Sequence, residues 1–197
     1  MQPVVVVAIV VGVLVLAVIG GALLVGRNVR RQREQRRGVL ESLGLTVVSE
    51  KPFKARGRYR DAEVSVEQTD EVSRRATLFA TRVVLAGGEP VETVVQKRFG
   101  SSFEQGRATG LEEVETGHEE FDERFRTFAR DEAATAMWRD EVRCERVLAL
   151  GRQGRPGELV ELTASDGEVM LLLAGADLYP ETLQAAMYLA ADVARVG

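Results

Sequence analysis

Only one histidine, His118, and one cysteine, Cys144, occur among the 197 residues, and that scarcity limits the chemistry open to the chain. A Ser-His-Asp triad or an imidazole-rich metal centre would have to be assembled around His118 alone. Its surroundings, His118-Glu119-Glu120-Phe121-Asp122-Glu123, offer carboxylate oxygens. They lack the H-E-x-x-H spacing that sets two imidazoles on one helical face, and they read as a solvated acidic turn. A single thiol excludes an internal disulfide framework and a multi-thiolate metal site. Cys144 is expected to be a small buried hydrophobe rather than a nucleophile. Neither a cofactor nor a metal is expected, and no residue is given a catalytic role.

One pair of side chains has a chemical argument behind it. Glu141 and Glu145 stand four apart and project into the apolar arc of a helix expected over residues 132–150. Carboxylates sunk in such an arc need partners. Arg74, Arg75 or Arg82 would neutralise them, whereas an unneutralised pair would have the displaced pKa values used in acid–base work. The GRQGRPG stretch places Gly151, Gly154 and Gly157 at every third residue beside Arg152 and Arg155. Nucleotide-binding glycine loops follow a strand and open a helix. This stretch follows a helix and precedes a strand, so it reads as a helix stop and connection.

The elements that must position these residues are legible as alternating patterns. Strands are expected over residues 45–49, 53–59, 62–68, 75–86 and 91–99, where apolar and polar residues alternate or β-branched residues cluster. Gly87-Gly88 predicts a tight hairpin between the fourth and fifth. Residues 101–110 read as a loop and 114–129 as short extended pieces. On the helix at 132–150, Ala134, Met137, Trp138, Val142, Cys144 and Leu148 share one arc. Strands at 159–164 and 168–173 flank Ser165-Asp166-Gly167, a strong turn signal. Pro180 then opens a final helix with Leu183, Ala186, Met187, Ala190 and Val193 as its apolar stripe. The expected fold class is α+β: one N-terminal transmembrane helix, then antiparallel β-hairpins with two main helices packed on one face.

Charge divides the chain into three zones. No charged side chain precedes Arg27, and residues 4–25 form a 22-residue apolar run. At about 1.5 Å per residue that run covers about 33 Å as a helix, enough for a hydrocarbon core of about 30 Å. A cleaved signal peptide would want a basic start and a shorter apolar stretch, and Met1-Gln2-Pro3 supplies no basic side chain. Arg27, Arg30, Arg31, Arg33, Arg36 and Arg37 then outweigh Glu34 and Glu41, a collar of net +4. Subtracting the collar from the chain's −4 leaves −8 for residues 44–197. The expected organisation is an anchor at 1–26, a basic juxtamembrane helix or linker at 27–43 and a soluble domain at 44–197. Basic residues flanking a span stay on the cytoplasmic side, which puts the N-terminus outside and the domain in the cytoplasm. The collar favours anionic headgroups. The acidic body is a poor match for nucleic acid, where neutralising phosphates dominates affinity. Ala8/Gly12 and Ala17/Gly21 have the small-residue spacing that lets helices pair, so a homodimer through the anchor is a further expectation.

The string FDERFRTFARDEAATAMWRDEVRCERVLAL at residues 121–150 resembles a pattern in uncharacterised bacterial membrane-anchored domains, in which an F-D/E-x-x-F-x-V stretch and a polar turn precede a helix. Phe121, Asp122 and Phe125 match the first part, and Thr127 stands where a valine is usual. The resemblance covers 50 to 60 residues of the C-terminal half. It implies a membrane-tethered domain with Phe121 and Phe125 as core anchors, and it carries no catalytic residue. Taken together, the sequence reads as a single-pass membrane protein whose cytoplasmic domain serves interaction or scaffolding beside the bilayer and a membrane-associated protein. The alternative is a small-ligand sensor or enzyme that uses Glu141 and Glu145 in a cleft.

Overall fold

The computed structural model describes residues 30–31, 34–35, 37–72, 77–98, 110–150, 157–175 and 179–195. The chain separates into two compact units, residues 1–38 and residues 39–197. The second unit begins ahead of the boundary read from the sequence because Leu40 and Leu43, in the helical turn before the first strand, are buried in its core.

Nine strands form one sheet: β1 (Leu45–Glu50), β2 (Phe53–Tyr59), β3 (Ala62–Val72), β4 (Thr77–Ala86), β5 (Thr93–Lys97), β6 (Glu112–Val114), β7 (Phe125–Ala129), β8 (Leu159–Ser165) and β9 (Glu168–Ala174). Their spatial order is β1-β2-β3-β4-β9-β8-β5-β7-β6, and each pairing is antiparallel. One row of partners, Val47–Ala55–Val66–Val83–Leu171–Leu162–Val95–Thr127–Val114, runs across all nine strands on the face that carries the helices. The next row, on the opposite face, reads Thr46–Arg56–Ser65–Val84–Met170–Thr163–Val94–Phe128–Glu113 and is exposed or half-buried except at Val94 and Phe128. The period-2 alternation of side chains thus sorts core from solvent.

Among the described residues after β6, four helices cover the core face: α1 (Glu119–Arg124), α2 (Glu132–Trp138), α3 (Glu141–Ala149) and α4 (Pro180–Val193). Each of the first three has a side-chain cap on an otherwise unsatisfied N–H. His118 Nδ1 accepts from Phe121 N, Asp131 from Ala134 N, and Asp140 from Val142 N. Phe121, Phe125 and Trp138 pack together, with ring centroids 5.2 Å and 6.0 Å apart along that order from Phe121. The indole Nε1 of Trp138 donates to Thr93 Oγ1 at 2.9 Å.

The expected fold class requires correction in three respects. Among the described residues no helix is long and apolar enough to cross a membrane, and residues 4–25 lie outside the described residues. The fold described is therefore sheet and helices alone. Among the described residues the helix expected over residues 132–150 is two, because Asp140 caps a new helix and breaks it, and the short α1 precedes them. The break resets the helical phase, so Val142, expected in the core, is 57% exposed while Val147 is buried. Nor do Gly87 and Gly88 close a hairpin. β4 pairs with β9, and β5 lies beyond β8. The glycines instead allow three segments to converge: Gly87 N and Gly88 N donate to Gly167 O in the β8–β9 turn, and Glu89 N donates to Ala194 O at the end of α4. A Cβ on Gly88 would come within 2.6 Å of Ala194 O.

Candidate functional site

That convergence of glycines fixes the end of α4, and α4 forms one wall of an open groove of about 580 Å³. The groove is lined by Arg60, Arg143, Arg146, Tyr188, Ala191, Asp192 and Arg195. Arg143 and Arg146 stand three apart on α3, the spacing that brings side chains to one helical face. Tyr188 and Asp192 are four apart on α4, Arg195 follows its last turn, and Arg60 lies in the β2–β3 turn.

The side chains are held in a definite arrangement. Asp192 Oδ2 receives Arg143 Nε at 2.9 Å and Arg146 Nη1 at 3.1 Å. Arg143 also donates to the carbonyl of Met137, which ties it to the end of α2. Arg195 pairs with Glu89 at 3.1 Å across the glycine junction. The Arg60 guanidinium lies 5.5 Å from the centroid of the Tyr59 ring, and Tyr59 in turn meets Tyr188 at 6.2 Å. The Tyr188 hydroxyl accepts from Gln184 Nε2. Four guanidinium groups therefore line the groove against one carboxylate, with Asp140 and Glu89 beside it. Each of these arginines already has a partner, and planar guanidinium donors of this kind match anionic oxygens.

The residues singled out in the sequence lie elsewhere. Glu141 is exposed in the first turn of α3, where a negative charge complements the helix dipole. Glu145 is exposed as well and meets His118 Nε2 at 3.2 Å. Because His118 Nδ1 accepts from Phe121 N, Nε2 carries the ring proton and donates to Glu145. The two carboxylates are not brought together in a cleft. Cys144 is buried and donates through Sγ to Trp138 O, and burial pushes its thiol up to about 11. Phe121 and Phe125 are both core residues. Of the collar, Arg30, Arg31 and Arg37 are exposed, with Arg30 pairing Glu34 at 3.1 Å, and Arg27, Arg33 and Arg36 lie outside the described residues. So do Arg74, Arg75 and residues 151–156 of the glycine stretch. Arg82 pairs with Glu67 across β3 and β4. Among the described residues no three His, Cys, Asp or Glu side chains are placed to hold a metal ion.

Sequence reasoning passed over the groove because its cations come from three separate segments. Only the Arg143/Arg146 spacing was visible in advance, and it required the phase of α3 rather than that of a longer helix. Comparison of the chain with protein-family models, with curated proteins and with solved structures returned no match.

Proposed function

We propose that this chain is an interaction module attached to a membrane through its apolar N-terminal segment, with the arginine groove as the surface that meets its partner. The groove carries this reading. Four guanidinium groups gathered in one concavity, on a body that is otherwise net negative, give an anionic partner a reason to dock there. The uncharged run at residues 4–25 and the six arginines after it support attachment with the sheet domain on the cytoplasmic side. Attachment would confine the groove to the bilayer surface and raise its effective concentration for partners held there. The proposed partners are the bilayer itself and a membrane-associated protein, with pairing of two copies through the apolar segment as a further possibility. Nucleic acid is a poor partner for the acidic body.

The test is in-cell crosslinking of the tagged chain followed by mass spectrometry, alongside versions lacking residues 1–26 or carrying Arg146→Gln. The chain is expected in the membrane fraction, with one reproducible partner lost in both variants. Recovery of the native chain in the soluble fraction, or capture of the same partner by both variants, would refute the proposal. Shaving of a C-terminal tag from intact cells by added protease would refute the orientation.

A further inference from the structure

The groove's chemistry narrows the kind of anion it takes. We infer that the arginine groove binds a phosphate monoester group, with Asp192 as the internal anion that marks one of its oxygen positions; this rests on the groove being the binding surface proposed above. The first argument is convergence. Arg143 Nε and Arg146 Nη1 meet on the single oxygen Asp192 Oδ2, at 2.9 and 3.1 Å. Each guanidinium gives one N–H to that oxygen, and a point where two such charged donors converge suits a phosphate oxygen as it suits a carboxylate one.

The second argument is the direction of the donors. They reach the groove from α3, from the end of α4 and from the β2–β3 turn. A carboxylate presents two oxygens in one plane, whereas a phosphate monoester presents three at tetrahedral angles, one for each wall. Tyr188 adds a further donor, since its hydroxyl accepts from Gln184 and retains its own proton to give.

Third, the cations can be recruited at small cost. Arg195 and Glu89 are 45% and 58% exposed, and exposed pairs of that kind contribute little. Arg146 is half exposed. A dianion in the groove therefore draws on Arg195 and Arg146, while Arg143, 13% exposed, stays bound to Asp192 and the Met137 carbonyl.

The fourth argument concerns the backbone. Arg60 and Arg195 adopt φ values of 55° and 52°. A left-handed conformation disfavours a side chain with a Cβ and suits glycine or asparagine. Two of the four groove arginines thus occupy positions where the backbone alone would favour another residue. The tight β2–β3 turn and the end of α4 hold both of them in place.

The phosphate could belong to a soluble phosphorylated molecule or to a lipid headgroup, and one experiment separates them. The full chain is reconstituted in phosphatidylcholine nanodiscs at about pH 8, where the second proton of a phosphate group (pKa about 6) is off. Its thermal midpoint is followed against inorganic phosphate, with sodium chloride at equal ionic strength as reference. Phosphate is expected to raise the midpoint beyond the chloride reference in a saturable way. Arg146→Gln combined with Arg60→Gln is expected to weaken the apparent affinity at least tenfold, and Arg146→Lys, which keeps the charge without the fork, to weaken it less. Asp192→Asn is expected to tighten phosphate binding severalfold. A response no greater than that to chloride overturns the inference, as does a native-like titration by the double variant. Loss of the phosphate response in nanodiscs containing phosphatidic acid supports the inference with the lipid headgroup as source. An unchanged response there supports it with a soluble source. A chain that binds phosphate yet partitions away from cell membranes upholds this inference and removes the membrane reading, so the two fail separately.

Discussion

Thr93 and Thr127 sit on neighbouring strands, β5 and β7, both buried on the helix-covered face of the sheet. Their hydroxyls are treated in opposite ways. Thr93 Oγ1 donates to Phe128 O at 2.7 Å and accepts from Trp138 Nε1 at 2.9 Å. Thr127 Oγ1 is buried with no hydrogen-bond partner among the described residues. The same substitution, threonine to valine, should therefore move stability in opposite directions. At Thr127 it removes a desolvated hydroxyl, which costs about 1–3 kcal/mol when left unsatisfied, and substitutes a methyl group of nearly equal size. A gain of about 1 kcal/mol is expected. At Thr93 it strands the indole N–H of the chain's one tryptophan, a loss of about 1–3 kcal/mol partly offset by the added methyl. A net loss of about 1–2 kcal/mol is expected. Urea unfolding of the chain, read by Trp138 fluorescence and circular dichroism, resolves the pair. With a slope of about 2 kcal/mol per molar urea, the two midpoints should separate by roughly 1 M or more. If Thr127→Val lowers the midpoint, or if Thr93→Val leaves it unchanged, the hydrogen-bond reasoning is wrong.

Other perturbations test separate parts of the account. His118→Ala removes the cap of α1 and the contact with Glu145, and should cost about 1 kcal/mol; His118→Asn, a good capping residue, should recover most of it by the same urea titration. Gly88→Ala would press a methyl group against Ala194 O and should destabilise by about 1–3 kcal/mol, measurable by thermal unfolding, with Gly167→Ala at the same junction behaving alike. The raised thiol of Cys144 stays protonated in the folded state after it ionises in the unfolded chain. Stability should therefore fall as pH rises from its ordinary value of 9.0 toward about 11, by on the order of 1.4 kcal/mol per unit. Cys144→Ala should flatten that slope relative to the native chain, whatever its own stability. The native thiol should also resist alkylation at about pH 8, in contrast to the urea-unfolded chain.

What was legible in advance was local. The strand read over residues 53–59 matches β2 in full, and Ser165-Asp166-Gly167 marked the β8–β9 turn, with Asp166 and Gly167 both at positive φ. Pro180 and the stripe from Leu183 to Val193 gave α4, and each stripe residue is buried. What was not legible was which strands meet. Gly87-Gly88 satisfies the requirement for a tight turn and equally the requirement for close approach of other backbones, and the second prevailed. The short α1 escaped because its cap is a histidine, an uncommon N-cap, and its six residues carry hardly two turns of periodicity. Asp140 is a capping residue type, yet the apolar arc was read straight past it from Trp138 to Leu148. Projecting Glu141 and Glu145 through that false continuity placed them in the core, whereas the new helix turns both to solvent. The groove depends on tertiary placement alone, since neither Arg60 nor Arg195 has a sequence neighbour that announces it.

The position of the β8–β9 hairpin has a consequence for the life of the chain before it is complete. It enters the sheet between β4 and β5, although both of those strands are made much earlier. Until residues 159–174 have left the ribosome, β4 lacks the neighbour on one side and β5 lacks β8, so two open strand edges wait on a segment made more than 60 residues later. Open edges are templates for pairing with other chains, and sheets closed by distant segments form slowly. A nascent or prematurely terminated chain is therefore a client for holding chaperones. Nonsense mutations ahead of residue 159 should yield aggregates rather than a smaller working protein.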